Sequence, residues 1–221
     1  MEDSQVKNIV VTGLGLFRDH QLNPSWECIH DGRLQIDRPQ VNLITKQIDV
    51  CYDTVNHVVD SLWTEYKPWL MVHIGLAAHE TGIRIEQLAR DGPYVKDDIK
   101  CCAPHKHLEQ VVGDTPETSV CQSQGFTEKR TCLNVDEICK IVGSLHDQGK
   151  VAMPISVSQD AGLYLCEYIY HKSLQCSDRV VFIHVPNIDK FELEDITLAL
   201  KYTIEAIVDN LCDCDRVSHA H

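Results

Sequence analysis

The sequence has little positive charge and no long apolar run. Lys and Arg number 20 against 33 Asp and Glu in 221 residues, a formal charge of −13. Nucleic-acid binders concentrate positive charge to displace counterions from phosphate. No local run of Lys and Arg offsets the deficit, so nucleic acid is excluded as a partner and an anionic membrane surface is disfavoured. Uninterrupted apolar stretches extend over only a few residues, too short to span a bilayer. Residues 1–7 are polar and acidic, without the basic start and apolar run of a secretory signal. Internal repeats, low-complexity tracts and linkers are missing too. The expectation is one domain over 1–221, with a core at about 8–210.

What the chain does have is a hydrophobic fraction of 43%, enough for a sizeable core, and eleven cysteines. An odd count at irregular spacing is a poor disulfide framework. With no export signal, the expected location is the reducing cytoplasm, with thiols free. Most of them should be small core hydrophobes. The question is which one is a nucleophile.

Strand-like and helix-like segments alternate. Ile9, Val10 and Val11 form a β-branched run that ends in Gly13, the pattern of a buried strand entering a loop. Asn23-Pro24 reads as a helix start, with a capping side chain and proline at the first helical position. Residues 41–49, 70–74, 83–86, 151–157 and 180–185 have strand character. Helical spacing recurs over 53–65, from 134 to 145, over 162–173 and over 193–211. Residues 91–130, polar and carrying three X-Pro steps, read as an irregular excursion with room for short strands. Over 212–221 a frayed tail is expected. The alternation predicts an α/β fold, a mostly parallel twisted sheet with helices on both faces.

The strongest chemistry lies between Ser156 and Glu167. A strand ends near Val157, a turn carries Asp160 and Gly162, and a helix begins with Cys166 in its first turns. A helix N-terminus offers free amides and a positive dipole end. Both favour a thiolate, and the same amides can hold an oxyanion. His184 lies at the end of a strand, the edge where open α/β sheets bind ligands. Cysteine and histidine brought together there form a nucleophile and a general base. Glu86, closing an alternating strand, is a suitable carboxylate to orient the ring.

Several blocks carry a resemblance over about 8–210. They are Val10-Val11-Thr12-Gly13, Asn23-Pro24-Ser25-Trp26, Val72-His73-Ile74-Gly75, Ile85-Glu86, residues 156–166, and Phe182-Ile183-His184-Val185-Pro186. The chain resembles the pyroglutamyl-peptidase I family, cytosolic cysteine omega-peptidases. The resemblance implies a three-layer α/β/α sandwich and a catalytic triad of Glu86, Cys166 and His184. It also implies hydrolysis of N-terminally pyroglutamylated peptides through a thioester, with no metal or organic cofactor. Oligomeric state, monomer or homo-oligomer, stays open.

The first loop departs from the family pattern of two phenylalanines lining the lactam pocket. Leu14 replaces one of them, Leu16 a proline and Arg18 a glycine, while Phe17 survives. Leu14 and Phe17 are therefore expected to bind substrate, with one aromatic ring fewer to stack on the lactam. Lys96 is expected near the site, as a cation for its negative charge. Asp91 stands where relatives often have asparagine. Two other readings stay open. The altered loop suits a catalytically weak or inactive relative that binds pyroglutamyl peptides or a protein partner. Cys101, Cys102, His105 and His107 have the composition of a zinc cluster but no second ligand pair. Cys212, Cys214, His219 and His221 form a weaker one.

Overall fold

The computed structural model describes residues 6–17, 22–104 and 126–218. Six strands form the main sheet: β1 (Lys7–Leu14), β2 (Val41–Ile48), β3 (Leu70–Leu76), β4 (Ile83–Glu86), β7 (Ile155–Ser158) and β8 (Val180–Val185). Their order is β2-β1-β3-β8-β4-β7. Pairings within β2-β1-β3-β8 are parallel, as is β4 with β7, whereas β4 lies antiparallel to β8. β5 (Leu88–Arg90) and β6 (Glu128–Arg130) form a separate antiparallel ribbon.

Strand alternation explains the layers. Side chains point to opposite faces with period 2, and a sheet covered on both faces is apolar at both parities. Ile9, Val11, Leu70, Val72, Ile74, Ile83, Ile85, Val181 and Ile183 share one core. It is covered by α1 (Pro24–Glu27), α3 (Val135–Asp147) and α5 (Leu193–Ser218). The opposite parity, Val10, Met71, Val180 and Phe182, packs against α2 (Tyr52–Tyr66) and α4 (Leu165–Leu174). The three-layer α/β/α expectation therefore holds.

Local signals set the helix starts. The Asn23 side chain accepts the Ser25 amide with Pro24 at the first position, and Asn134 accepts the Glu137 amide at 3.2 Å. The helix expected from 162 begins only at Leu165. Gly162 (φ 98) and Leu163 (φ 47) are left-handed, which α-helix cannot accommodate. The frayed tail expected beyond 212 is corrected, since α5 continues to Ser218. Asp215 anchors it, accepting from Lys7 at 3.2 Å, Arg179 at 2.6 Å and the Trp69 indole at 3.2 Å. Within the expected excursion, residues 91–104 are irregular and β6 is its short strand. Residues 105–125 lie outside the described residues.

Candidate active site

Parity brings the chemistry to one face. Phe182 belongs to the core beneath α2 and α4, so His184, two residues on, points the same way. Ile83 and Ile85 belong to the opposite core, which turns Glu86 toward α4. Reversal of β4 sets Glu86 opposite Phe182 and Arg84 opposite His184. The His184 Nδ1 and Glu86 Oε1 are then 2.8 Å apart. Glu86 is fully buried, and its Oε2 has no hydrogen-bond partner among the described residues.

Cys166 is the second residue of α4, at the end where amides lack intrahelical acceptors. Its Sγ lies against Gly75 at the end of β3. A Cβ on Gly75 would sit 3.0 Å from the sulfur and 2.6 Å from the Phe182 ring. Glycine there lets the nucleophile side chain reach the sheet. Sequence reasoning assigned Gly75 no role, although a glycine closing an apolar strand was the available signal.

His184 feels both Glu86, its hydrogen-bond partner, and the Cys166 sulfur. Burial alone would lower its proton affinity, but Cys166 and Glu86 outweigh it and push the pKa up to about 9. The ring also packs on Phe182, with centroids 4.8 Å apart.

A cavity of about 170 Å³ opens beside Cys166, lined by Leu14, Phe17, Val50, Leu76, Tyr164 and Leu165, with Asn23 at one side. It is smaller than the ~300–1,000 Å³ of drug-sized ligand sites, a size suited to a single small ring. Both first-loop candidates, Leu14 and Phe17, are in its wall. The Phe17 ring lies 5.6 Å from Tyr164. Arg18 lies outside the described residues.

Lys96 is not brought to this wall. Its side chain is exposed, and its carbonyl accepts the Tyr52 hydroxyl at 3.1 Å. The hydrogen bonds at that loop run through its backbone and Asp98, which accepts the amides of Tyr52, Lys100 and Cys102. Asp91 accepts Thr127 through amide and hydroxyl, closing the β5–β6 end. Cys101 and Cys102 are exposed free thiols. Among the described residues no group of three or more His, Cys, Asp and Glu is arranged to hold a metal ion. His105, His107, His219 and His221 lie outside them. No helix among the described residues is long and apolar enough to cross a membrane.

The chain is 29% identical over 219 residues to pyroglutamyl-peptidase 1 of Homo sapiens, covering 97% of each chain. It is 27% identical over 195 residues to the pyrrolidone-carboxylate peptidase of Pyrococcus furiosus, covering 85% of each. A mutant pyrrolidone carboxyl peptidase from that hyperthermophile superposes with a TM-score of 0.71 at 25% identity, over 92% of this chain and 99% of that one. The sequence model of the pyroglutamyl peptidase family matches residues 7–214, and the chain belongs to that family.

Proposed function

We propose that this chain is a cysteine peptidase that removes N-terminal pyroglutamate from peptides, with Cys166 as nucleophile, His184 as base and acid, and Glu86 orienting the ring. One observation carries the reading. The His184 ring is hydrogen-bonded through Nδ1 to Glu86 Oε1 at 2.8 Å, and Cys166, beside the apolar cavity, is close enough to favour the charged ring.

The chemistry follows from those positions. With its pKa near 9, His184 holds a proton at neutral pH and pairs with the Cys166 sulfur. The sulfur attacks the carbonyl carbon joining pyroglutamate to the next residue. The carbonyl electron pair moves onto oxygen, where unbonded amides at the start of α4 stabilise it. As the tetrahedral species collapses, His184 gives its proton to the leaving amine and a thioester remains. Sulfur in a thioester carries no negative charge, so one cause of the high His184 pKa is gone. The neutral ring then takes a proton from water, hydroxide adds to the thioester carbonyl, and collapse breaks the C–S bond, releasing pyroglutamic acid and leaving the sulfur anion beside the protonated ring as at the start. Glu86 keeps Nδ1 engaged throughout, so Nε2 does the proton work. A pyroglutamyl terminus has no ammonium to solvate, which suits the apolar lining. The thiol must stay reduced, which fits a reducing compartment such as the cytoplasm.

A second reading, a pyroglutamyl-peptide binder with weak or no turnover, is favoured by Leu14 standing in the cavity wall in place of an aromatic ring. One assay separates the two. Wild type should release the fluorophore from a pyroglutamyl-coumarin amide, and Cys166→Ala should not. Equal turnover by Cys166→Ala removes the nucleophile assignment, and peptide binding without turnover by wild type selects the binder.

A further inference from the structure

Next to Cys166 lies an ion pair that the triad does not use, between the partly exposed Arg90 and the buried Glu167. Glu167 is fully buried, and its carboxylate takes four hydrogen bonds. Oε1 accepts the Arg90 backbone amide at 2.9 Å and the Arg90 Nε at 2.7 Å. Oε2 accepts an Arg90 terminal nitrogen at 3.0 Å and the Leu163 amide at 2.7 Å. The same guanidinium nitrogen reaches Asp160 Oδ1 at 2.5 Å, and that oxygen also accepts the Gly162 amide at 3.1 Å. One arginine therefore holds both ends of the turn that delivers Cys166. The turn needs holding, because Leu163 stands at φ 47, in the left-handed region where a residue with Cβ persists only if its surroundings over-determine it.

The other end of the clamp leads to the carboxylate of the triad. Arg90 closes β5, four residues after Glu86. Between them, Gln87 donates its amide to the Ser158 carbonyl at 2.8 Å, and the Glu86 carbonyl accepts the Tyr170 hydroxyl at 2.9 Å. Glu86 and Cys166 thus sit on two segments that a fork-shaped guanidinium ties together. Planar, bidentate pairing fixes direction as well as distance.

We propose that Arg90 and Glu167 are positioning residues, whose ion pair locks the 158–163 turn against β5 and so aims Cys166 at His184. The proposal rests on Cys166 being the nucleophile. A displacement near 1 Å at a reacting group can cost on the order of 10²-fold in rate, so the pair should be felt in kcat while cavity binding is spared.

The test uses the full chain and four variants, Arg90→Lys, Arg90→Gln, Glu167→Gln and the Arg90→Gln/Glu167→Gln double. The double matters because removing Arg90 leaves the buried Glu167 charge unpaired, whereas replacing both partners is often tolerated. It should therefore fold even if the single variants do not. Turnover of the pyroglutamyl-coumarin amide is measured across pH together with melting temperature. The carboxymethylation rate of Cys166 at pH 6 is read in parallel by peptide mass and does not depend on turnover. The expected result for the double variant is a kcat lower by roughly ten- to a hundred-fold, a KM within about threefold of wild type, and slower Cys166 alkylation. Arg90→Lys should recover part of the loss, since an ammonium restores charge without the fork. A folded double variant with wild-type kcat, pH profile and alkylation rate would overturn the proposal and leave the nucleophile assignment standing. A wild type without turnover fails that assignment instead, and the alkylation rates then still decide whether the pair aims Cys166 at His184.

Discussion

At the scale of single residues, His184 stands between opposing influences. Burial disfavours its charge, while Cys166 and Glu86 favour it strongly enough to hold the pKa at about 9. Two consequences have a definite sign. The pH profile of kcat/KM reports groups of the free enzyme, so activity should fall on an alkaline limb near pH 9. In Glu86→Gln one of the raising bonds goes, so that limb should move to lower pH and kcat should drop about 10²-fold or more. An unmoved limb in Glu86→Gln would separate Glu86 from His184 chemistry. Folding is linked to the same proton. A group raised above its ordinary value of about 6.5 contributes stability fully below that value and loses it as pH climbs through 9. Leu14 offers a second test at this scale. It lines the cavity but has no flat face for a planar ring, and stacking of two rings is worth about 0.5–1.5 kcal/mol. Leu14→Phe should lower KM by about two- to tenfold, measured by steady-state kinetics, with kcat little changed. Phe17 could be ranked from sequence because it is the aromatic residue that survives in the first-loop pattern. Lys96 could not, because only packing reveals which way a loop side chain turns.

Elements are joined beneath the site by a buried polar relay. His73 on β3 shares its Nδ1 with the Thr12 hydroxyl of β1 at 2.7 Å and its Nε2 with the Ser173 hydroxyl of α4 at 2.7 Å. It lies on the same face of the sheet as Gly75, so this relay docks the C-terminal half of the nucleophile helix as the Arg90 pair docks its start. Full burial pushes the His73 pKa down to about 3. The unfolded chain therefore binds a proton that the folded one refuses between about pH 6.5 and 3. The stability is complete above pH 6.5 and falls by up to about 1.4 kcal/mol per pH unit below it. His73→Asn should lower stability at pH 7 and flatten its dependence on pH between 6 and 4, as followed by urea unfolding. A slope identical to wild type would free His73 of that role. Continuous apolar runs made β1, β3 and β8 legible, and the 3.6 spacing made α2 and α3 legible, because each pattern encodes how its own element is buried. The left-handed step at Gly162 and Leu163 was not legible, since leucine rarely adopts it and the ion pair that holds it comes from a distant strand.

Taken as a whole molecule, the cysteine count divides by environment. Cys28 and Cys51 are buried, and burial pushes the Cys28 thiol up to about 12. Cys101, Cys102, Cys132, Cys176 and Cys214 are exposed. In the native protein a thiol reagent at pH 7 should label the exposed group and Cys166 but spare Cys28 and Cys51, while all eleven should react in denaturant. Mass mapping of the labelled peptides checks this, and rapid native labelling of Cys28 would contradict the packing of α1 against the sheet. The amino-acid order alone was sufficient for the alternation of strands and helices, the two-faced apolar strands, and the identity of Cys166, His184 and Glu86 as candidates. Those are local properties, carried by periodicity, by turn residues and by short motifs. Chain folding was needed for the reversal of β4, the close approach at Gly75, the anchoring of α5 through Asp215, and the Arg90 clamp. Each of these depends on partners far apart in the chain. Glu86 and His184 are separated by 98 positions, and no spacing rule states which strand edge will run beside which. Hydrogen-bond pairing between strands, set by the packing of both helix layers at once, selects that order and with it the geometry of the site.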